Sequence, residues 1–389
     1  MEGAAPVSEP TTRDLLYGEV EDDVRASARK LLADRCATDA VLARCESDEP
    51  YDLATWRTLS AELGFAGLLV PEADGGAGAS AREAAVVAEE LGRSVAPLPF
   101  LGSAVLATSA LLACKDSQTC PQGRAVVREL LAALGDGSRT GTLAVPLSTA
   151  PGAGFPDAVR ATGGCLTGRV GSVVDLDVAD VVLVGATDED GPALYAVDLP
   201  GSGATRHPVV SLDLTRRVTD LELDGAAGRR VAGAADAEVA LHAALTTGAG
   251  LLAAEQLGLA EWCLDTTVEF AKTRYQFGRP IGSFQALKHR LADVWAAVST
   301  ARSVARAAAN ALATGAADTE LVVAVAAAYC SDTAVLAAEE CVQLHGGIGM
   351  TWEHPAHLYL CRAKTSQLAL GTPDGHRATL AELANLPAT

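Results

Sequence analysis

The chain of 389 residues is long enough for two or three packed units, and its hydrophobic share of 49% allows a large core. Its formal net charge is −19, from 30 Lys and Arg against 49 Asp and Glu. Such a charge repels nucleic acid and anionic membranes, so we expect neither as a partner. A phosphate-bearing ligand would have to be met by local cations or helix ends.

Three regions follow one another along the chain. From about residue 12 to 137, apolar residues recur at three- and four-residue spacing, as for Val24, Ala28 and Leu31. Short β-rich runs then alternate with Gly, Pro and Asp turns, and the predicted strands are Leu143–Val145, Val181–Val184, Leu194–Val197 and Val218–Leu223. Helical patterns return from Ala234, with predicted helices to about Lys272, over Phe284–Leu312 and over Thr319–Leu344. We therefore predict an α+β fold with a helical domain at 1–137, a sheet domain at 138–232 and a second helical domain at 233–389.

Cysteine usage and the apolar stretches bear on location. The nine cysteines are scattered without a CxxC pair or zinc-finger spacing, which favours small buried filler in a reducing cytoplasm. The acidic, Pro-containing N-terminus is unlike a signal or transit peptide. The most apolar stretch, Leu98–Cys114, contains Pro99 and Gly102 and is predicted to be a buried core helix rather than a membrane span.

The most informative segment is Arg274–Gln285, which reads Arg-Tyr-Gln-Phe-Gly-Arg-Pro-Ile-Gly-Ser-Phe-Gln. It leaves one long helix, turns, and enters another with Ser283 as the expected N-cap. Its arginine could offer a fork of donors to a pyrophosphate, and Phe277 could lie against a flat ring. Spacing alone equally allows a plain connector in which Arg274 caps the helix.

A second Gly-rich break follows a helix at Gln343–Gly349, Gln-Leu-His-Gly-Gly-Ile-Gly. Two glycines after a helix ordinarily mark its stop. They can also expose backbone N–H groups to a ligand. Nearby, His345, His354 and His357 lack a surrounding set of carboxylates or thiolates, so we predict no metal site, and Trp352 and Tyr359 are expected to anchor packing.

These two segments, together with His289–Asp293 and Gly67–Gly76, make the chain resemble the acyl-CoA dehydrogenase family over nearly its whole length. The resemblance implies an N-terminal helical domain, a small middle β-sheet domain and a C-terminal four-helix bundle. It also implies a tetramer with FAD across subunit interfaces. On this resemblance the adenosine-pyrophosphate half of FAD is gripped by Arg274, Gln276, Phe277, Phe284, Gln285, His289, Gln343, Gly346 and Gly347. For His289, a plain helix-surface position is an equal alternative.

The family needs a carboxylate base to remove the α-proton of an acyl thioester. Most members place it just before a Gly-Thr pair near the C-terminus, where this chain has Leu370. A minority place it on the long helix before the arginine motif, at or near Gly248. No catalytic residue is therefore assigned. Glu255 is a minor candidate for the base, and the alternative is that it is a polar helix residue at an interface. Asp374 is better explained as a helix cap.

The segments that contact the flavin ring in the family are also altered. Thr149–Phe155 takes the place of the family's Gly-rich turn, and within the following strand the stacking Trp is replaced by Ser172 and the ring-bonding Thr by Val174. The adenosine half-site thus looks retained and the ring half-site eroded.

Both losses suggest a division of labour. The chain resembles an actinobacterial branch that includes α2β2 steroid side-chain enzymes, in which one subunit supplies base and ring pocket and its sister the phosphate grip. We expect this chain to be the sister, a subunit of a FAD-dependent acyl-CoA dehydrogenase paired with a paralogous subunit. The alternatives are a homomeric enzyme with a displaced base and a flavin-free acyl-CoA-binding relative.

Overall fold

The computed structural model describes residues 15–201 and 203–386. Before the sheet, helices α1 to α6 occupy Glu19–Arg35, Thr38–Cys45, Leu53–Arg57, Ala81–Arg93, Thr108–Cys114 and Gly123–Gly135. A π-helical segment, Phe100–Ala107, leads directly into α5. The best-defined start is that of α4, where Ser80 and Glu83 form a capping box.

The middle of the described chain forms an eight-stranded sheet. Its strands β1 to β8 are Gly141–Ala144, Val159–Thr162, Cys165–Val174, Val181–Asp188, Gly191–Asp198, Ala204–Pro208, Val218–Ala227 and Arg229–Gly233. They lie in the order β6-β7-β3-β2-β4-β5-β8, and β1 pairs in parallel with β4. Strands β4 and β5 form a regular antiparallel hairpin whose inward residues are buried.

After the sheet come five helices of the described chain, α7 to α11, at Ala234–Thr273, Gln285–Thr314, Thr319–His345, Ala356–Leu368 and Pro373–Leu383. The two-residue strands β9 and β10, Tyr275–Gln276 and Arg279–Pro280, connect α7 to α8. Helices α7, α8 and α9 pack on one another, α10 and α11 pack on α9, and α4 lies along α7. Small residues such as Gly92 and Gly258 let α4 and α7 approach closely, because a Cβ at Gly258 would lie 1.8 Å from the Glu89 carbonyl oxygen.

The predicted order of helices, sheet and helices is confirmed. The four predicted strands correspond to β1, β4, β5 and β7, and the three long helices end within two residues of the predicted bounds. The domain bounds 1–137, 138–232 and 233–389 remain a prediction, and the described sheet starts at Gly141 and α7 at Ala234.

The apolar stretches form the core of the fold. Phe100–Cys114 is buried almost throughout, as predicted. Two other segments, α7 and Thr319–Met350, are long and apolar enough to cross a membrane by length and composition, but 72% of each apolar window is buried inside the fold. Burial on this scale is that of core helices. All nine thiols are free, and those of Cys165 and Cys361 are the ones not fully buried.

Candidate functional site

The segment between α7 and α8 is a tight hairpin that presents an aromatic ring to solvent. Its two central residues, Phe277 and Gly278, have φ of 51° and 76°. Positive φ at both positions is the geometry of a type I′ turn, which glycine adopts freely and phenylalanine does not. Phe277 is nevertheless 90% exposed. A strained backbone that displays a large apolar ring points to a binding role.

Cationic groups surround this ring. Arg274 ends α7 with its N–H bonded to the Phe270 carbonyl oxygen at 2.9 Å, and its side chain is exposed. The Arg279 guanidinium lies 4.0 Å above the Phe284 ring, and Phe284 meets Phe277 edge-on at 6.2 Å. Within the described residues, neither arginine has a carboxylate within ion-pair distance. Their donors are therefore available to an anion.

The Gly-rich break after α9 lies at the same end of the helical bundle. His345 stacks on Phe270 near the end of α7, with ring centroids 4.4 Å apart, and Arg290 of α8 pairs with Glu340 of α9 at 2.7 Å. Gly346 ends α9 with φ of 65°, and a Cβ at Gly347 would meet open space. The break is thus both a helix stop and an open backbone surface. Gln285, His289 and Gln343 are exposed at this end. We call the exposed set from Arg274 to His289 and from Gln343 to Gly347 the phosphate grip.

Apolar residues flank the phosphate grip. Trp295 of α8 is 62% exposed, and next to it lies a groove of ≈ 410 Å³ lined by residues that include Val268, Pro280 and Leu291. Met350 is 77% and Trp352 62% exposed. An apolar surface of this kind is typical of a protein interface. The prediction that Trp352 anchors packing is wrong, whereas Tyr359 is buried and stacks on Trp262 at 3.5 Å.

Two predicted helix caps are also wrong. Phe284 rather than Ser283 is the N-cap of α8, and the Ser283 hydroxyl is buried without a hydrogen-bond partner in the described structure. At α11 the cap is Thr372, whose Oγ1 accepts from the Gly375 N–H at 3.1 Å, and Asp374 lies in the first turn. An acidic residue in the first turn still interacts favourably with the helix dipole.

The two positions at which the family places its base meet in space. A Cβ on Gly248 would lie 2.9 Å from Leu370 Cδ1 and 2.7 Å from Leu106 Cδ2. Leu106 and Leu370 are fully buried. Two leucines from distant parts of the chain thus cover Gly248, and a side chain at position 248 would have to displace the ends of both. We call Leu106, Gly248 and Leu370 the leucine plug.

The turn that holds Leu370 is joined directly to the sheet domain. The Leu370 N–H donates to the Leu147 carbonyl oxygen at 2.7 Å, and a Cβ on Gly371 would lie 3.0 Å from the Ala150 Cβ. Beside this contact the cavity lined by Pro151, Gly152 and Thr246 holds only ≈ 50 Å³. Sites for small molecules and cofactors usually measure ~300–1,000 Å³. The cavity beside the Leu370 turn is therefore too small for a flavin ring.

The strand expected to face a flavin ring turns its side chains inward. The register of β3 against β7 shifts between Val170 and Val173, and Ser172 adopts φ of 53° with its N–H bonded to Asp220 Oδ1 at 2.8 Å. Val174 is buried in the main core. Ser172 therefore offers no aromatic ring for stacking, and Val174 offers no hydroxyl to a ligand.

Glu255 belongs to a buried ionic cluster between the sheet domain and the C-terminal helices. Its Oε1 accepts from Arg362 Nη1 at 2.9 Å, and its Oε2 accepts from Arg216 Nη2. Arg362 Nε also lies 3.1 Å from Asp213 Oδ2. Two carboxylates therefore balance two guanidinium groups away from solvent.

The pairing sets the protonation of Glu255. Burial alone would raise the pKa of its carboxyl, but the charges and hydrogen bonds of Arg216 and Arg362 outweigh burial and hold the pKa below its ordinary value. Both oxygens are occupied, whereas a base needs an oxygen directed at the proton it removes. This arrangement favours an ion-pair role for Glu255.

The three histidines named above lie near the phosphate grip. The rings of His345 and His354 are 4.1 Å apart, and His357 Nδ1 is 2.8 Å from the His354 carbonyl oxygen. Across the described chain, no three His, Cys, Asp or Glu side chains approach one another as metal ligands do.

Sequence reasoning missed Leu106, Leu147, Arg216 and Arg362. The arginines carry a weak signal, since Arg216 follows the Asp213-Leu-Thr run and Arg362 directly follows the apolar run Leu358–Cys361 in α10. For Leu106 and Leu147 the sequence offers none, because their roles arise from contacts between domains.

Comparison with known proteins agrees with this architecture. Residues 18–118 match the family model for the acyl-CoA dehydrogenase N-terminal domain, and residues 237–384 match the one for the C-terminal domain. Acyl-CoA dehydrogenase IpdE2 of Mycobacterium tuberculosis is 36% identical over 350 residues, which cover 90% of this chain and 92% of that protein.

Solved structures agree with the sequence relatives. The ChsE4–ChsE5 complex from Mycobacterium tuberculosis contains a chain with a TM-score of 0.83 and 31% identity, covering 96% of this chain and 100% of that one. A steroid acyl-CoA dehydrogenase, the Tcur3481–Tcur3483 G363A variant, gives a TM-score of 0.81 at 31% identity, covering 94% and 98%.

Proposed function

Since the chain belongs to the acyl-CoA dehydrogenase family, we propose that it is the subunit of a heteromeric enzyme that grips FAD for a partner without supplying a base. Acyl-CoA dehydrogenases are FAD-dependent oxidoreductases, so the expected cofactor is FAD and the expected substrate an acyl-CoA thioester. A paralogous dehydrogenase subunit is the proposed partner.

The leucine plug is the observation that carries this proposal. Both family positions for the base hold apolar or absent side chains, and Leu106 and Leu370 occupy the space into which a carboxylate would have to project. A buried, unpaired carboxylate would also cost several kcal/mol or remain protonated. Among the described residues, neither family position for the base therefore holds a carboxylate.

The two halves of FAD fit this chain unequally. The phosphate grip has exposed cationic donors, a displayed aromatic ring and open glycine backbone, which suit pyrophosphate and adenosine. The ring end fits less well, because Ser172 and Val174 stand where the family has a stacking ring and a hydroxyl, and the cavity beside Leu370 measures only ≈ 50 Å³. A flavin held here would need its ring housed by another chain.

The chain's own residues would then act by binding. When bound, FAD supplies the acceptor for the hydride that leaves the β-carbon. Arg274 and Arg279 would neutralise the pyrophosphate, Phe277 would cover the adenosine side, and the Gly346–Gly347 backbone would approach without steric hindrance. The apolar surface with Trp295 and Met350 would be buried against the partner.

Flavin content and turnover test the proposal. The chain purified alone should be colourless and inactive toward acyl-CoA substrates, and the complex with a base-bearing paralogue should be yellow and active. In that complex Arg274→Ala should weaken FAD retention about 10- to 100-fold, the loss expected for one or more charge-assisted hydrogen bonds. An active, flavin-bearing homotetramer of this chain would overturn the proposal.

Two alternative functions lead to different experimental results. A homomeric enzyme with a displaced base would require Glu255 to act, so turnover by the lone chain should fall on Glu255→Gln. A flavin-free acyl-CoA-binding relative would show no FAD by mass spectrometry in any complex. Arg274 and Arg279 are exposed and have no carboxylate within ion-pair distance among the described residues, which favours FAD binding over this last alternative. A cytoplasmic location remains our prediction.

A further inference from the structure

An arginine-lined groove lies away from both the phosphate grip and the leucine plug. It measures ≈ 730 Å³ and runs between the α2–α3 region and strand β6. Arg44, Arg57, Arg206 and Arg217 line it, together with the prolines 50 and 208. A volume of this size is in the usual range of ~300–1,000 Å³ for small-molecule sites.

The carboxylates around the groove do not neutralise these arginines. Arg44 pairs with Asp52 at 3.2 Å, but Arg57, Arg206 and Arg217 have no carboxylate within ion-pair distance among the described residues. Asp48, Glu49 and Asp177 also line the groove. Asp177 Oδ1 is taken by the Thr219 hydroxyl, and Asp48 and Glu49 are exposed. Three of the four arginines that line the groove therefore lack a direct ion pair within the described residues.

Backbone oxygens hold two of the arginines, Arg206 and Arg217, in place. Arg206 donates from Nη1 to the Asp177 carbonyl oxygen at 3.2 Å and from Nη2 to that of Ala179. Arg217 donates from Nη2 to the Cys45 carbonyl oxygen at 3.3 Å. The Nε atoms of both are buried without a hydrogen-bond partner in the described structure. An arginine carries five N–H donors, so both guanidinium groups keep Nη hydrogens that these backbone bonds do not use.

Burial also leaves the charge of Arg206 poorly compensated. Desolvation lowers the pKa of its guanidinium, and Asp177 and Asp180 offset this only in part. An anion in the groove would reverse that penalty.

We propose that this groove binds a phosphate-bearing anion of nucleotide size. Arg206 and Arg217, fixed by the backbone, form its preorganised floor, and the exposed Arg57 closes over it. Planar guanidinium forks match phosphate oxygens in pairs, and Pro50 and Pro208 offer apolar walls to the rest of the ligand. The site is independent of the proposed dehydrogenase role.

Isothermal titration of the full-length chain with pyrophosphate, ADP and CoA tests this inference. Binding of pyrophosphate and ADP is expected, and Arg57→Glu should weaken it at least about tenfold because an attractive charge becomes repulsive. Arg57→Lys should keep most of the affinity. Arg128→Glu, an exposed arginine of α6 without a described ion pair, imposes the same charge change elsewhere and should leave binding unchanged.

A second variant separates the groove from the phosphate grip. Binding that is lost in Arg274→Glu but kept in Arg57→Glu belongs to the phosphate grip and overturns the groove proposal, while it supports the proposed function. Binding lost in Arg57→Glu and kept in Arg274→Glu supports the groove. The three ligands identify the source of the phosphate. If CoA binds more tightly than ADP, the groove recognises coenzyme A. If pyrophosphate binds as tightly as ADP, the groove recognises a free phosphate anion. Absence of heat with all three also overturns the proposal.

Discussion

The phosphate grip and the leucine plug lie on the same helical bundle and have opposite character. The grip is exposed, cationic and partly strained, with Phe277 in a left-handed conformation and 90% exposed. The plug is buried, apolar and closed, and it joins α7, the π-helical segment and the Leu370 turn. Surfaces that remain strained and open are those used for binding. The difference teaches that the same bundle carries one surface open to a ligand and one point that is packed as core.

The largest expected effect is on the ionic cluster beside the plug. Glu255→Gln should lower the free energy of unfolding by about 3–5 kcal/mol, because two buried arginines would share a single carboxylate. Chemical denaturation measures this. Glu339→Gln, which breaks an exposed pair with Lys364, is the matched control and should cost at most ~1 kcal/mol. Equal effects of the two variants would contradict the structural role of Glu255.

The Glu255 carboxylate should also make the stability of the folded chain depend on pH in the acid range. Its pKa in the folded state lies below the ordinary value of 4.5, so its contribution to stability is present above about pH 4.5. That contribution is lost as the pH falls through the folded-state pKa. The stability of the wild-type chain should therefore decline in this acid range more steeply than that of Glu255→Gln.

A matched pair of truncations compares plug and grip directly. Leu106→Ala should cost about 2–5 kcal/mol because it opens a cavity in a closed region. Phe277→Ala should change stability by less than about 0.5 kcal/mol, since its ring is in solvent in the lone chain. Thermal or chemical unfolding of the two variants checks this. A stability loss for Phe277→Ala similar to that for Leu106→Ala would erase the contrast between the regions.

A smaller, pH-dependent effect is expected at Asp175, which lies next to the plug segment. Its buried carboxyl accepts from the Gly102 N–H at 2.8 Å and the Tyr51 hydroxyl at 3.0 Å, and burial raises its pKa from 3.8 to about 6. The folded state thus holds this proton more tightly, and its contribution to stability is lost as the pH rises through 6. Between pH 5 and 8 this amounts to about 1–1.5 kcal/mol. Asp175→Asn should remove that decline, and an unchanged slope would contradict the assignment.

The patterns of the sequence predict the architecture well and the site in part. Three- and four-residue spacing located the long helices, and alternating runs located β1, β4, β5 and β7. Strands β2, β6 and β8 were not predicted, since β2 alternates over only four residues and β6 and β8 do not alternate. Position 277 illustrates the limit, because the Phe-Gly pair indicates a turn but not the left-handed backbone that displays the ring.

The leucine plug lies beyond local sequence reasoning. The absence of a carboxylate at Gly248 and Leu370 can be seen in the sequence, but the contact of both with Leu106 depends on the packing of three separate segments. The pairing of Glu255 with Arg216 and Arg362 likewise joins residues 39 and 107 positions apart. Both features were therefore accessible only from the folded chain.

The ratio of flavin to protein chains in the complex with a base-bearing paralogue tests the central claim most directly. If this chain contributes only the phosphate grip, the flavin released on denaturation should amount to half the number of chains, and base substitution in the partner alone should abolish turnover. One flavin for every chain, with turnover surviving loss of the partner's base, would show that this chain houses a complete site and would contradict the account.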